Sequence, residues 1–221
     1  MVVVLAVIAA VMAVAALRTP PAPPPMASAG TVVADAEPPL AAFIGDSYAA
    51  GTGATSIKRR WTTLVAADQG WRELNLARQG TGYLATASVD ECGQPTCPNY
   101  EVMLRDAVRA RAAVVVVSGG QDDGPRDPAR VARAVQATYE AVRVGLPDAE
   151  IIAVGPSAIE PSSRIRAVDD AVREAAADVD ATYVSLLRPT VIKPAMVAED
   201  EVNVNNAGHA AIARRVIEGS S

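Results

Sequence analysis

Five apolar runs of strand length, separated by stretches of helical periodicity, constrain this chain more than any other feature. They are LAAFIG (40–45), ELNLA (73–77), AAVVVVSGG (112–120), EIIAVG (150–155) and TYVSLL (182–187). Several are apolar throughout, not alternating. That pattern suits parallel strands covered on both faces, whereas a half-solvated strand would alternate. Between the runs, Ile57, Trp61, Leu64 and Val65 keep helical spacing, as do Val131, Val135, Tyr139 and Val142. Asp127-Pro128 supplies a cap and first turn for the second of these, and Gly145 and Pro147 a stop. Ile165, Val168, Val172, Ala175, Ala176 and Val179 form a third stripe, and a last helix is expected from about Asn206 to Glu218. Strands alternating with helices predict an α/β fold, a three-layer α/β/α sandwich around a five-stranded parallel sheet.

In such a sheet, ligands bind beyond the carboxyl ends of the strands. The segments leaving those ends are GDSYAAGTG, RQGTGYL, SGGQDDG and GPSAIEP, all rich in glycine and polar residues. Loops that approach a ligand closely have that composition. A net charge of −5, with lysine and arginine scattered, argues against a nucleic-acid partner.

The first 17 residues, MVVVLAVIAAVMAVAAL, carry no charge, and Arg18 ends the run. A proline-rich stretch follows that cannot be helical. Residues 1–18 are therefore expected to be a signal peptide or membrane anchor, 19–38 a linker, and 39–221 the folded domain. The run is near the lower length limit for crossing a hydrocarbon core and lacks the basic residues that usually precede a signal peptide's apolar segment. A buried core helix is the alternative. Cys92 and Cys97 flank GQPT in a turn-rich loop. In an exported chain this even count at close spacing reads as one disulfide, and in a reducing compartment as two free thiols. A zinc site would need further ligands that are not nearby.

Ser47 follows an apolar strand directly and precedes a helix, which exposes its hydroxyl near backbone N–H groups able to bind an oxyanion. The rival reading of GTGATS as a phosphate loop lacks the lysine of a P-loop. Here the chain resembles the SGNH, or GDSL, hydrolases, over residues 40–219. FIGDSYAAG looks like the nucleophile block, with Ser47 as nucleophile. LNLARQGTG is similar to the second block, with Gly80 at the glycine whose N–H joins the oxyanion hole. SGGQDD resembles the third block, with Gln121 at the oxyanion-hole asparagine. DEVNVNNAG resembles the last, in which an aspartate precedes the catalytic histidine by three residues. The resemblance implies a flavodoxin-like SGNH fold and hydrolysis or transfer of an ester-linked acyl group. It implies no metal or organic cofactor and a small-molecule or glycan-linked ester as substrate. The apolar first run allows a membrane tether at the N-terminus, and a monomer is expected.

Two departures stand out. Gln121 is one methylene longer than asparagine. More seriously, Asp200 falls on the aspartate and Asn203 on the histidine. An amide can hydrogen-bond to Ser47 but cannot take its proton. The sole histidine, His209, lies six residues beyond, on a helix face with Ile212, Ala213 and Val216. That spacing favours a packed or half-buried histidine, with His209 as base the alternative. Asp122, Asp123 and Asp200 are further acceptors, poorly matched if their pKa stays near 4. A non-catalytic module that keeps the pocket is the other functional reading.

Overall fold

Each apolar run forms a strand, and every neighbouring pair is parallel. In the computed structural model, which describes residues 37–220, the strands are β1 (Leu40–Ile44), β2 (Arg72–Asn75), β3 (Val114–Ser118), β4 (Glu150–Val154) and β5 (Thr182–Val184). Their order across the sheet is β2-β1-β3-β4-β5. The switch point, where an open sheet of this type opens a crevice, therefore lies between β1 and β3. The helices among the described residues are α1 (Ser47–Ala50), α2 (Trp61–Asp68), α3 (Val89–Cys92), α4 (Tyr100–Arg109), α5 (Pro128–Gly145), α6 (Ser163–Asp178) and α7 (Asn206–Gly219). The apolar run and all but the last two linker residues lie outside the described residues. Among those described, no helix is long and apolar enough to cross a membrane.

The continuous apolar runs are explained by two cores, one on each sheet face. Ala42 and Ile44, Val115 and Val117, and Ile151 and Ala153 point into the core shared with α4, α5 and α6. Their neighbours Ala41 and Phe43, Val114 and Val116, and Ile152 and Val154 point into the core shared with α2 and α7. Side chains alternate between faces along a strand. With both faces covered, both sets must be apolar.

Three local expectations change. The periodicity beginning at Ile57 does not make one helix: residues Ile57–Arg59 form a 3-10 turn, Arg60 is extended at φ −66° and ψ 136°, and α2 starts only at Trp61. Ile57 is consequently 68% exposed instead of buried. The strand expected over 182–187 stops at Val184, because Ser185 Oγ accepts the N–H groups of Leu187 and Arg188. A side chain that captures backbone donors in this way competes with the sheet ladder. Finally, α4, which the reading above left unassigned, buries Tyr100, Met103, Leu104 and Ala107 against the sheet.

Candidate active site

Ser47 owes its position to the abrupt end of β1. Gly45 has no room for a side chain, since a Cβ there would lie 2.6 Å from the Ala49 Cβ and 2.7 Å from Ser118 Oγ. Asp46 then caps α1, accepting the Tyr48 N–H at 3.0 Å. Ser47 is the first residue of this single turn and half-exposed. Its hydroxyl makes no hydrogen bond among the described residues. Behind it, β3 is followed by Gly119 and Gly120, both at φ near +100°. A side chain on Gly119 would overlap the Asp46 carboxyl and the Tyr100 hydroxyl. Glycine there lets β3 pass directly behind the serine turn.

The other loops are tied to the segment Gly45–Gly53. The Gly45 carbonyl accepts the Arg78 N–H at 2.9 Å and the Thr81 hydroxyl at 3.4 Å, which holds the turn carrying Gly80 against it. Gly80 has φ +73°, and its N–H has no hydrogen-bond partner among the described residues. Tyr48 donates its hydroxyl to the Val202 carbonyl at 2.9 Å, drawing in the 200–203 turn. A Cβ on Gly53 would touch Val204 and the Asn203 side chain. Gln121 joins Asp46 and Tyr48 in lining a slot of about 10 Å³, completed by Ser157, Leu186 and Ile212 among others. That is roughly the space of one water. The Gln121 Oε1 is buried without a hydrogen-bond partner among the described residues.

Asp200 and Asn203 form a closed pair. Asp200 accepts the Asn203 backbone N–H at 2.8 Å and the Asn203 side-chain amide at 2.6 Å. The Asn203 Oδ1 is buried and unpartnered. His209 is fully buried on α7, as a packed helix position would be, and its Nε2 lies 3.1 Å from the Thr52 carbonyl. A carbonyl only accepts, so Nε2 carries the proton. Nδ1 is buried without a partner among the described residues. Desolvation holds the His209 pKa below its usual value, against the pull of the Thr52 carbonyl. The ring is neutral, and neither nitrogen reaches Ser47.

One important residue was misjudged in the sequence. Asp123, considered above only as a spare proton acceptor, is fully buried and accepts three backbone N–H groups, from Tyr83, Leu84 and Ala85. It clamps the second loop to the third. Its hydrogen bonds all go to the second loop, and none goes to Ser47 among the described residues. Among the described residues, no group of three or more His, Cys, Asp and Glu side chains is arranged to hold a metal.

Burial pushes Asp46 up to about 7, and the nearby Asp122 adds to the rise, against opposing backbone N–H groups. Asp122 is itself pushed up to about 6, by burial and then by Asp123. The folded chain thus keeps a proton on Asp46 between about pH 4 and 7, where the unfolded chain has lost it. Stability contributed by this proton is complete below pH 4 and disappears as pH rises through 7. Asp46→Asn keeps an oxygen for the Tyr48 N–H and cannot ionise. It should shrink the fall in melting temperature between pH 4 and 8 by a few degrees. An unchanged pH profile would show that Asp46 ionises freely in the folded state.

A sequence model of the GDSL-like lipase/acylhydrolase family matches residues 43–211. A GDSL lipase of Mycobacterium tuberculosis is 26% identical over 189 residues, spanning 79% of this chain and 78% of that protein. Among solved structures, TesA superposes with a TM-score of 0.66 at 18% identity, over 81% of this chain and 97% of its own. A family two carbohydrate esterase from Cellvibrio japonicus gives 0.64 at 14% identity, over 82% of this chain and 60% of its own. At these identities the structural likeness speaks to the fold.

Proposed function

Because the chain belongs to the GDSL-like lipase/acylhydrolase family, we propose that it binds an ester-linked acyl group at Ser47 and, as an ester hydrolase, turns over slowly for want of an imidazole. The observation that carries this reading is the Asp200–Asn203 pair. Asp200 holds both the backbone N–H and the side-chain amide of Asn203, the position at which the family resemblance expects the base, and the residue there is an amide. A serine hydroxyl attacking a carbonyl must give up its proton, and Asn203 has no site for it. The N–H of Gly80 and the amide of Gln121 remain candidate donors to the oxyanion that forms. Residual rate enhancement would come from these donors and from binding alone.

Candidate substrates include small-molecule and glycan-linked esters. Export fits the same reading, since Cys92 and Cys97 are bonded to each other, with Cα atoms 6.2 Å apart. Disulfides of this kind persist in oxidising compartments.

A second reading, a binding module without turnover, is favoured by the Ser47 hydroxyl having no acceptor among the described residues. A fluorophosphonate probe separates the two. A nucleophilic serine should be labelled slowly but to one equivalent, and Ser47→Ala should lose all labelling. No adduct after hours of exposure would leave the binding module as the answer. Labelling that survives Ser47→Ala would move the nucleophile elsewhere.

A further inference from the structure

A polar groove of about 440 Å³ opens beside the Ser47 turn, between the end of α1 and the β2–α3 loop. Thr52, Arg60, Asn75, Arg78, Gln79 and Gln94 line it. Most of these polar groups are already engaged. Arg60 pairs with Glu73 at 2.9 Å and also reaches Thr63 and the Ala50 carbonyl. Asn75 donates to the Ala49 carbonyl and accepts the Ala77 N–H. Gln79 accepts from Thr52. Arg78 differs. One of its terminal nitrogens donates to the Leu76 and Ala77 carbonyls, at 3.0 and 2.9 Å, which fixes the guanidinium. Its remaining nitrogens make no hydrogen bond, and no carboxylate among the described residues pairs with it.

A half-buried guanidinium held in place with no counter-charge is unusual in a chain of net charge −5. With Arg60 neutralised by Glu73, the groove carries one net positive charge, supplied two residues from Gly80. Its fixed fork suits the bidentate recognition of an oxyanion. The surrounding amides and hydroxyl suit a hydroxyl-rich ligand, and the lining offers little apolar surface for an acyl chain.

We propose that this groove binds the alcohol portion of the ester, an anionic saccharide, with Arg78 holding its negative group. The inference rests on Ser47 being the reacting residue, and it names the substrate class of that site. The anionic group can be a sugar carboxylate or a sugar phosphate, which share the chemistry that Arg78 recognises.

Calorimetric titration of the whole protein with trigalacturonate, glucose 6-phosphate and neutral maltotriose tests it without relying on turnover. At least one anionic ligand should bind, and the tighter of the two identifies the source of the charge. Arg78→Gln should weaken that ligand by roughly tenfold to a hundredfold. Gln94→Glu, which adds a carboxylate on the exposed rim and leaves the Arg78 anchors alone, should weaken it in the same direction. Equal binding of maltotriose, or affinity indifferent to both substitutions, would overturn the proposal. Where Ser47 takes up a fluorophosphonate, the bound saccharide should slow labelling. Binding that leaves labelling unchanged would mean that the groove does not serve the reacting ester. Absence of labelling altogether would count against the Ser47 reading, while the titration would still decide the groove.

Discussion

Asn203→His should raise hydrolysis of a short activated ester by two orders of magnitude or more. A positioned general base contributes typically about 10²–10⁴ in rate, and losing one from a serine hydrolase can cost about 10⁶. The surroundings are prepared for the ring. Asp200 already accepts both the backbone N–H and the side-chain amide of residue 203. It would hold an imidazole by one nitrogen and stabilise the cation formed on proton transfer. An unperturbed imidazole, with a pKa of about 6.5, is matched to neutral pH. The gain should vanish when Ser47→Ala is added, and His209→Ala should alter activity only through stability. Initial rates with p-nitrophenyl acetate across these variants decide the matter. If His209→Ala abolished an activity that Asn203→His did not improve, the base would be His209 and the assignment of residue 203 would be wrong.

The largest loss of stability is expected at Asp123. Asp123→Ala strips three backbone N–H groups, two buried and one partly buried, of their acceptor at once. Orphaned buried donors cost about 1–3 kcal/mol each, with partial relaxation, so the loss should be about 3–5 kcal/mol. Asp123→Asn keeps one oxygen but turns an NH₂ group toward a donor, and should fall between the two. Urea denaturation measures both. A loss below about 1 kcal/mol for the alanine variant would mean that the second loop finds other partners. The same substitution loosens the Gly80 turn, so any esterase activity should fall with it.

Strands β1, β3 and β4 were legible because parallel strands buried on two faces must be apolar at consecutive positions, whereas β2 is polar at Arg72, Glu73 and Asn75 and lies at the sheet edge. The order of the blocks along the chain likewise pointed to Ser47, Gly80 and the Asp200–Asn203 turn. What escaped was written in the backbone. Asp123 clamps three N–H groups that every residue possesses, so no side-chain pattern announces it. Ile57 continues a helical spacing across Arg60, where the chain is extended. Ser185 ends β5 by capturing two amides, although TYVSLL reads as strand to its end. The isolation of Arg78 depends on which carboxylates the fold brings near, a question of tertiary distance.

The sealed imidazole of His209 has a use outside catalysis. This chain holds one histidine, buried and bonded through Nε2 to the Thr52 carbonyl. Its ring protons and nitrogens therefore give a single, unambiguous set of magnetic resonance signals in the aromatic region. Nδ1, with no partner, should show the nitrogen shift of a bare lone pair. Because Thr52 belongs to the same Gly45–Gly53 segment as Ser47, ligand arriving at the serine should perturb that one resonance, making His209 a built-in reporter for a site it does not serve.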